Sequence, residues 1–212
     1  MPMQTVYRFL NCLNYSLLPP RCVLCENPGM PHLDLCEACL LALPEKPSPL
    51  PCSHGSVHAG FFYTSPIDGM IQGFKFHEQL HVGRLLARLC LPGLVSRRPD
   101  ALMPVPLHVS RLRERGFNQS LELARFWGMQ LSVPVLGQML SRARATQAQS
   151  RLNAVERAAN VAGAFRVAGG VPNHVALIDD VYTTGATCQA AASALMAAGV
   201  RRVDVWCLAR VA

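Results

Sequence analysis

Residues 175–187 read VALIDDVYTTGAT, and this stretch narrows the fold more than any other part of the chain. An unbroken apolar run suits a strand buried on both faces, as in parallel sheets covered by helices. The small-residue run 186–198, stopped by Gly199, reads as the helix that returns from such a strand. In open parallel sheets, ligands bind beyond the carboxyl ends of the strands. The free amides of a helix N-terminus favour an anion there. Gly185 lets the backbone come close, and Thr183, Thr184 and Thr187 offer hydroxyls around Ala186. Asp179 and Asp180 cannot bind phosphate, but they can accept hydrogen bonds from the hydroxyls of a sugar. A phosphate cup next to paired carboxylates fits a ribose 5-phosphate; a solvated acidic turn with a threonine cap is the plainer alternative.

The residues between 52 and 212 alternate short apolar runs with helical patterns, which predicts an α/β domain. Helices are expected over 80–90, 120–131 and 186–198, with Ser120 as the N-cap of the second. Strands are expected over 101–105, 133–136, 175–178 and 203–209. The segment LPEKPSPLP, residues 43–51, reads as a linker. It divides the chain into an N-terminal module, 1–51, and a main domain, 52–212.

The module carries Cys22-Val-Leu-Cys25 and Cys36-Glu-Ala-Cys39. Two CxxC pairs at this spacing can present four thiolates tetrahedrally to one structural Zn²⁺, in a zinc-ribbon-like unit too short to bury a core of its own. Cys52, His54 and His58 follow but lack a fourth ligand, and they read as ordinary loop residues. Cys12, Cys90, Cys188 and Cys207 sit among apolar neighbours and read as packed thiols.

Charge is uneven. The chain has a formal net charge of +7, and the stretch 97–157 holds ten arginines against four acids. Arginine presents a planar fork that suits phosphate oxygens. Two readings of this stretch stand, an anionic-ligand site and a solvated or nucleic-acid-facing surface. Few aromatics interleave with the arginines, which disfavours a stacking platform for single strands. Lys75, between Phe74 and Phe76, reads equally as a functional cation or as a surface residue. No apolar run approaches the roughly 20 residues that span a bilayer, so no membrane span is expected. The N-terminal residues lack the pattern of a signal peptide, so a cytoplasmic protein is expected.

Residues 175–187 resemble the phosphoribosyl pyrophosphate signature of the type I phosphoribosyltransferases. Three further stretches join them: FKFH around Lys75, PVPLHVSRLRERGFNQS over 104–120, and RARATQAQSRLNAVERAANVAGAF over 142–165. With the cysteine quartet, these resemble the ComF family from about Cys22 to the C-terminus. The resemblance implies a type I phosphoribosyltransferase fold, a parallel sheet flanked by helices, with a small zinc module ahead of it. GntX-like relatives carry further CxxC pairs after the zinc module; only Cys52 and His54 stand near that place here.

By the same resemblance, Asp179 and Asp180 hold the ribose hydroxyls, with Mg²⁺ bridging ribose and pyrophosphate. Thr183, Thr184, Gly185, Ala186 and Thr187 cradle the 5-phosphate. Val105 and Pro106 belong to the pyrophosphate loop, and Arg111, Arg113 and Arg115 follow it. Arg142, Arg144, Thr146 and Gln149 fall where these enzymes keep a mobile loop. Asp179, Asp180, Arg115 and Arg144 are the expected catalytic set. The implied reaction displaces pyrophosphate from the anomeric carbon by an unidentified acceptor. The alternative it leaves is a non-catalytic adaptor of natural transformation that binds single-stranded DNA and competence proteins. A homodimer is the assembly such transferases often form.

Overall fold

The computed structural model describes residues 20–142 and 163–212. The chain forms two compact units, Met1–Pro44 and Glu45–Ala212. The division falls at Pro44, earlier than the expected 51, because Leu50–Cys52 is not linker but the first strand of the larger unit.

In the smaller unit, the residues from Pro20 onward fold around the cysteines. The amide of Cys22 donates to the carbonyl of Asn27 at 2.8 Å, and that of Val23 donates to Asp34 at 3.0 Å. Glu26 and His32 take positive φ values of 62° and 64°, which turn the chain back sharply. Helix α1, Glu37–Leu41, begins at Cys36, whose sulfur accepts the amide of Cys39 at 3.5 Å. Among the described residues of this unit, Cys22 and Leu35 are the buried hydrophobic ones.

The larger unit is a mixed α/β layer structure. Its strands are β1 (Leu50–Cys52), β2 (Gly55–Phe62), β3 (Ala101–Pro104), β4 (Leu140–Arg142), β5 (Phe165–Val167), β6 (His174–Tyr182) and β7 (Arg202–Arg210). The central sheet runs β1-β2-β7-β6-β3, parallel throughout except for β1, which pairs antiparallel with β2. Strands β4 and β5 form a separate antiparallel ribbon. The helices are α2 (Ile67–Phe76), α3 (Leu80–Cys90), α4 (Val109–Arg115), α5 (Gln119–Leu131) and α6 (Ala186–Ala197). Helix α3 has the bounds expected from its leucine spacing. No helix among the described residues is long and apolar enough to cross a membrane.

Alternation along β6 and β7 sorts the core into two layers. Val175, Leu177, Val203, Val205 and Cys207 pack with Cys188, Ala191 and Leu195 of α6. On β7, Trp206 instead meets Trp127 of α5 edge to face, at a centroid distance of 6.3 Å. The indole of Trp127 donates to the carbonyl of Ala87 at 2.9 Å, so this buried polar group is satisfied. Cys90, Cys188 and Cys207 are buried, as expected of packed thiols; Cys12 lies outside the described residues. Near the start of β7, buried Asp204 accepts from the Ser56 amide at 2.9 Å and pairs with His174 at 2.9 Å and Arg202 at 3.1 Å. Burial works against its charge, yet these partners hold its carboxyl below the ordinary value.

Candidate functional site

The site lies at the carboxyl ends of β3 and β6, which are adjacent in the sheet. The chain leaves β3 with Val105, whose amide donates to the carbonyl of Ile178 at 2.9 Å. Asn118, not Ser120, caps α5: its side chain accepts the Ser120 amide at 3.1 Å. Its other end donates to the carbonyl of Val105 at 3.2 Å. One asparagine therefore starts a helix and fastens the loop that contains Pro106.

Strand β6 outlasts its apolar run, so Asp179 and Asp180 are inside the strand and not beyond it. Successive strand residues face opposite ways, and the two carboxylates meet different partners. Asp179 accepts from Ser120 Oγ at 3.3 Å and from the Cys188 thiol at 3.6 Å. It also accepts the Asp180 amide at 2.9 Å. Burial, and after it the charge of Asp180, raise its pKa to about 6, against the opposing charge of Lys75. Asp180 pairs with Lys75 instead, Nζ to Oδ1 at 2.9 Å, and accepts the Val181 amide at 2.6 Å.

Lys75 sits in the last turn of α2. Its carbonyl accepts from Gln119 Nε2 at 3.4 Å, and Gln119 Oε1 accepts from Arg115 at 3.2 Å. Arg115 also lies over the ring of Phe76, 5.0 Å from its centroid, and its Nε is buried without a partner. Lys75 and Arg115, far apart in sequence, thus share one corner of the site. Arg111 turns to Glu114 at 3.0 Å in an exposed pair, and Arg113 is exposed. The side chains that meet the acids are those of Ser120, Cys188 and Lys75, not these two arginines. Arg142, at the end of β4, lies over the Phe165 ring at 5.6 Å. Burial lowers its pKa, and the charge of Asp179 offsets this in part, which puts the guanidinium within electrostatic reach of that carboxylate. Arg144, Thr146 and Gln149 lie outside the described residues.

The turn after β6 leaves Thr183 and Thr184 exposed, and Thr184 Oγ1 accepts the Ala186 amide at 3.5 Å. Gly185 has φ +74° and is the N-cap of α6, with Ala186 and Thr187 opening the helix. A Cβ on Gly185 would strike the Tyr182 ring and hydroxyl, so protein packing alone already requires glycine here. Sequence reasoning gave Ser120 only a capping role and Cys188 only a packing role. Their contacts with Asp179 come from tertiary placement, which local pattern does not report.

In the smaller unit, one sulfur from each of Cys22, Cys25, Cys36 and Cys39 lies within 4.8 Å of every other. Cys25 and Cys36 are 3.6 Å apart. A tetrahedron with Zn–S bonds of about 2.3 Å has S–S edges of about 3.8 Å. Burial disfavours the Cys22 thiolate, but backbone amides outweigh it and lower its pKa to about 6. Hydrogen bonds with Cys25 and Cys36 push Cys39 up to about 12. Four such thiols ionise together only around a cation, so the donor set fits a structural zinc. Cys52 and His54 join no cluster of three or more metal-ligating side chains among the described residues.

No family model matches the chain. It is similar to the DNA utilization protein YhgH of Salmonella typhimurium, 33% identical across 91% of this chain and 98% of that protein. Competence protein F of Haemophilus influenzae is 35% identical across 70% of this chain and 69% of its own length. Competence protein ComFC of Streptococcus pneumoniae is 28% identical, covering 75% and 71% respectively.

Proposed function

The chain belongs to the ComF family, and from that premise we propose that it binds phosphoribosyl pyrophosphate at the ends of β3 and β6 and transfers the phosphoribosyl group to an acceptor, in a cytoplasmic process of DNA uptake or use. One observation carries this reading. Two carboxylates on β6 stand directly before a glycine-turned helix N-terminus, with Lys75 paired to one of them and Arg115 joined to the Lys75 carbonyl through Gln119. Hydroxyls of a ribose match the acceptors Asp179 and Asp180, and its 5-phosphate matches the first-turn amides of α6 with Thr183, Thr184 and Thr187. The leaving diphosphate needs cations, which Arg115 and Lys75 supply from the protein side.

Asp179 and Asp180 are occupied by protein donors, which leaves them few oxygens for direct metal coordination. Magnesium fits as a companion of the ligand, where it would neutralise diphosphate charge. The protein's own contribution is to hold the sugar hydroxyls, fix the phosphate and set cations around the leaving group.

Calorimetric titration with phosphoribosyl pyrophosphate and Mg²⁺ tests this. Binding by the unaltered protein that is lost in the D179N/D180N double variant supports the site. No binding at millimolar ligand overturns it. The second reading, a non-catalytic adaptor for single-stranded DNA and competence proteins, is favoured by the exposed Arg113 and half-exposed Arg111 on α4 and by the names of the relatives. It requires oligonucleotide affinity that falls steeply with salt.

A further inference from the structure

Lys75 is half-buried, with 17% of its side chain exposed, and spends its ammonium on Asp180. Its backbone is fixed from both sides. Phe74 is 1% exposed and packs against Gly83, and the Lys75 carbonyl is bound by Gln119. Phe76 turns outward, 57% exposed, beneath Arg115. The Cα of Lys75 is therefore pinned, while its four-carbon stem can carry the ammonium to a new partner. Asp180 needs a partner when no ligand is present, because a carboxylate 12% exposed beside a second carboxylate is costly if uncompensated. A ligand hydroxyl donating to Asp180 competes for the acceptor that Lys75 holds.

We propose that Lys75 is a positioning cation that changes partners: it neutralises Asp180 in the ligand-free protein and passes to the diphosphate when the sugar hydroxyls engage the acids. The proposal rests on the phosphoribosyl pyrophosphate reading of the site. Lys75 then has two consequences of opposite sign. It keeps free divalent cations off the acids, and it draws in the diphosphate. A lysine that only braces α2 against β6 would have one consequence, because its loss would weaken every ligand together.

The test compares K75M and K75R with the unaltered full chain, using three probes: Mn²⁺ alone by electron paramagnetic resonance, and ribose 5-phosphate and phosphoribosyl pyrophosphate with Mg²⁺ by calorimetry. In K75M, Mn²⁺ alone binds about tenfold tighter and phosphoribosyl pyrophosphate about tenfold or more weaker. Ribose 5-phosphate, which lacks the diphosphate, binds at least as well as before. K75R restores most of the diphosphate affinity because the charge is retained. Parallel weakening of all three probes, or unchanged phosphoribosyl pyrophosphate binding in K75M, overturns the exchange and leaves the site intact. Failure of the unaltered protein to bind phosphoribosyl pyrophosphate overturns the reading of the site, and the exchange with it. If K75M unfolds, K75R decides: diphosphate affinity near that of the unaltered protein supports the exchange, and loss of it in folded K75R counts against it.

Discussion

Asp179 has its carboxylate where burial disfavours charge, and its raised pKa of about 6 makes that cost visible as a function of pH. An unfolded chain releases this proton near the ordinary aspartate value. Between that value and about 6 the folded protein therefore holds more protons than the unfolded chain. Stability drawn from this group is present at low pH and is lost as pH rises through the window. D179N removes the ionisation and keeps an oxygen to accept from Ser120 and the Asp180 amide. The variant is expected to be more stable than the parent at pH 7 by roughly 1–3 kcal/mol and to show no such gain at pH 4. Urea unfolding at the two pH values checks this. An equal change at both values would mean that Asp179 is not the titrating group. The same substitution should weaken phosphoribosyl pyrophosphate binding, so the residue trades stability for an acceptor in the right place.

At the scale of elements, α5 depends on Asn118 for two things, its first free amide and the position of the Val105 loop. Asn118→Ser keeps an N-cap oxygen but lacks the amide that reaches Val105. It should cost only a few tenths of a kcal/mol in stability, whereas Asn118→Ala should cost about 1 kcal/mol. Both should weaken phosphoribosyl pyrophosphate binding alike, because both release the loop. Thermal unfolding paired with calorimetry separates the two roles; full affinity in Asn118→Ser would show that the latch does nothing for the site. Helix α3 and the parallel strands β3, β6 and β7 were legible because their apolar spacing is local. The expected strand over 133–136 reduces to a single parallel bridge from Val135 to Leu102, since Pro134 has no amide to give and the segment meets only the edge of β3. Strand β1 was hidden by prolines that read as linker, although a proline is tolerated on an edge strand, and β2 was not expected because its His58 read as a loop residue. The partners of Asp179 and Asp180 were not legible at all. They come from α2, α5 and α6, elements that only the folded topology brings together.

At the scale of the molecule, the two units have different sources of stability. The larger one has a continuous core with Trp127, Trp206, Leu86, Leu102 and Leu177 fully buried. Among its described residues, the smaller one has Cys22 and Leu35 buried and four converging sulfurs. Hydrophobic burial can hold the first without help, whereas in residues 20–44 a metal at the four sulfurs would supply folding free energy. Protein purified without chelator should carry about one zinc per chain. Removal of that zinc should abolish the amide protection of residues 20–44 in hydrogen exchange. The main calorimetric transition, which belongs to the larger unit, should hold its midpoint, because none of the four cysteines contributes to that core. Metal-free protein with unchanged protection over 20–44 would show that backbone hydrogen bonds alone suffice, and that the tight cysteine cluster is a consequence of the fold and not its cause.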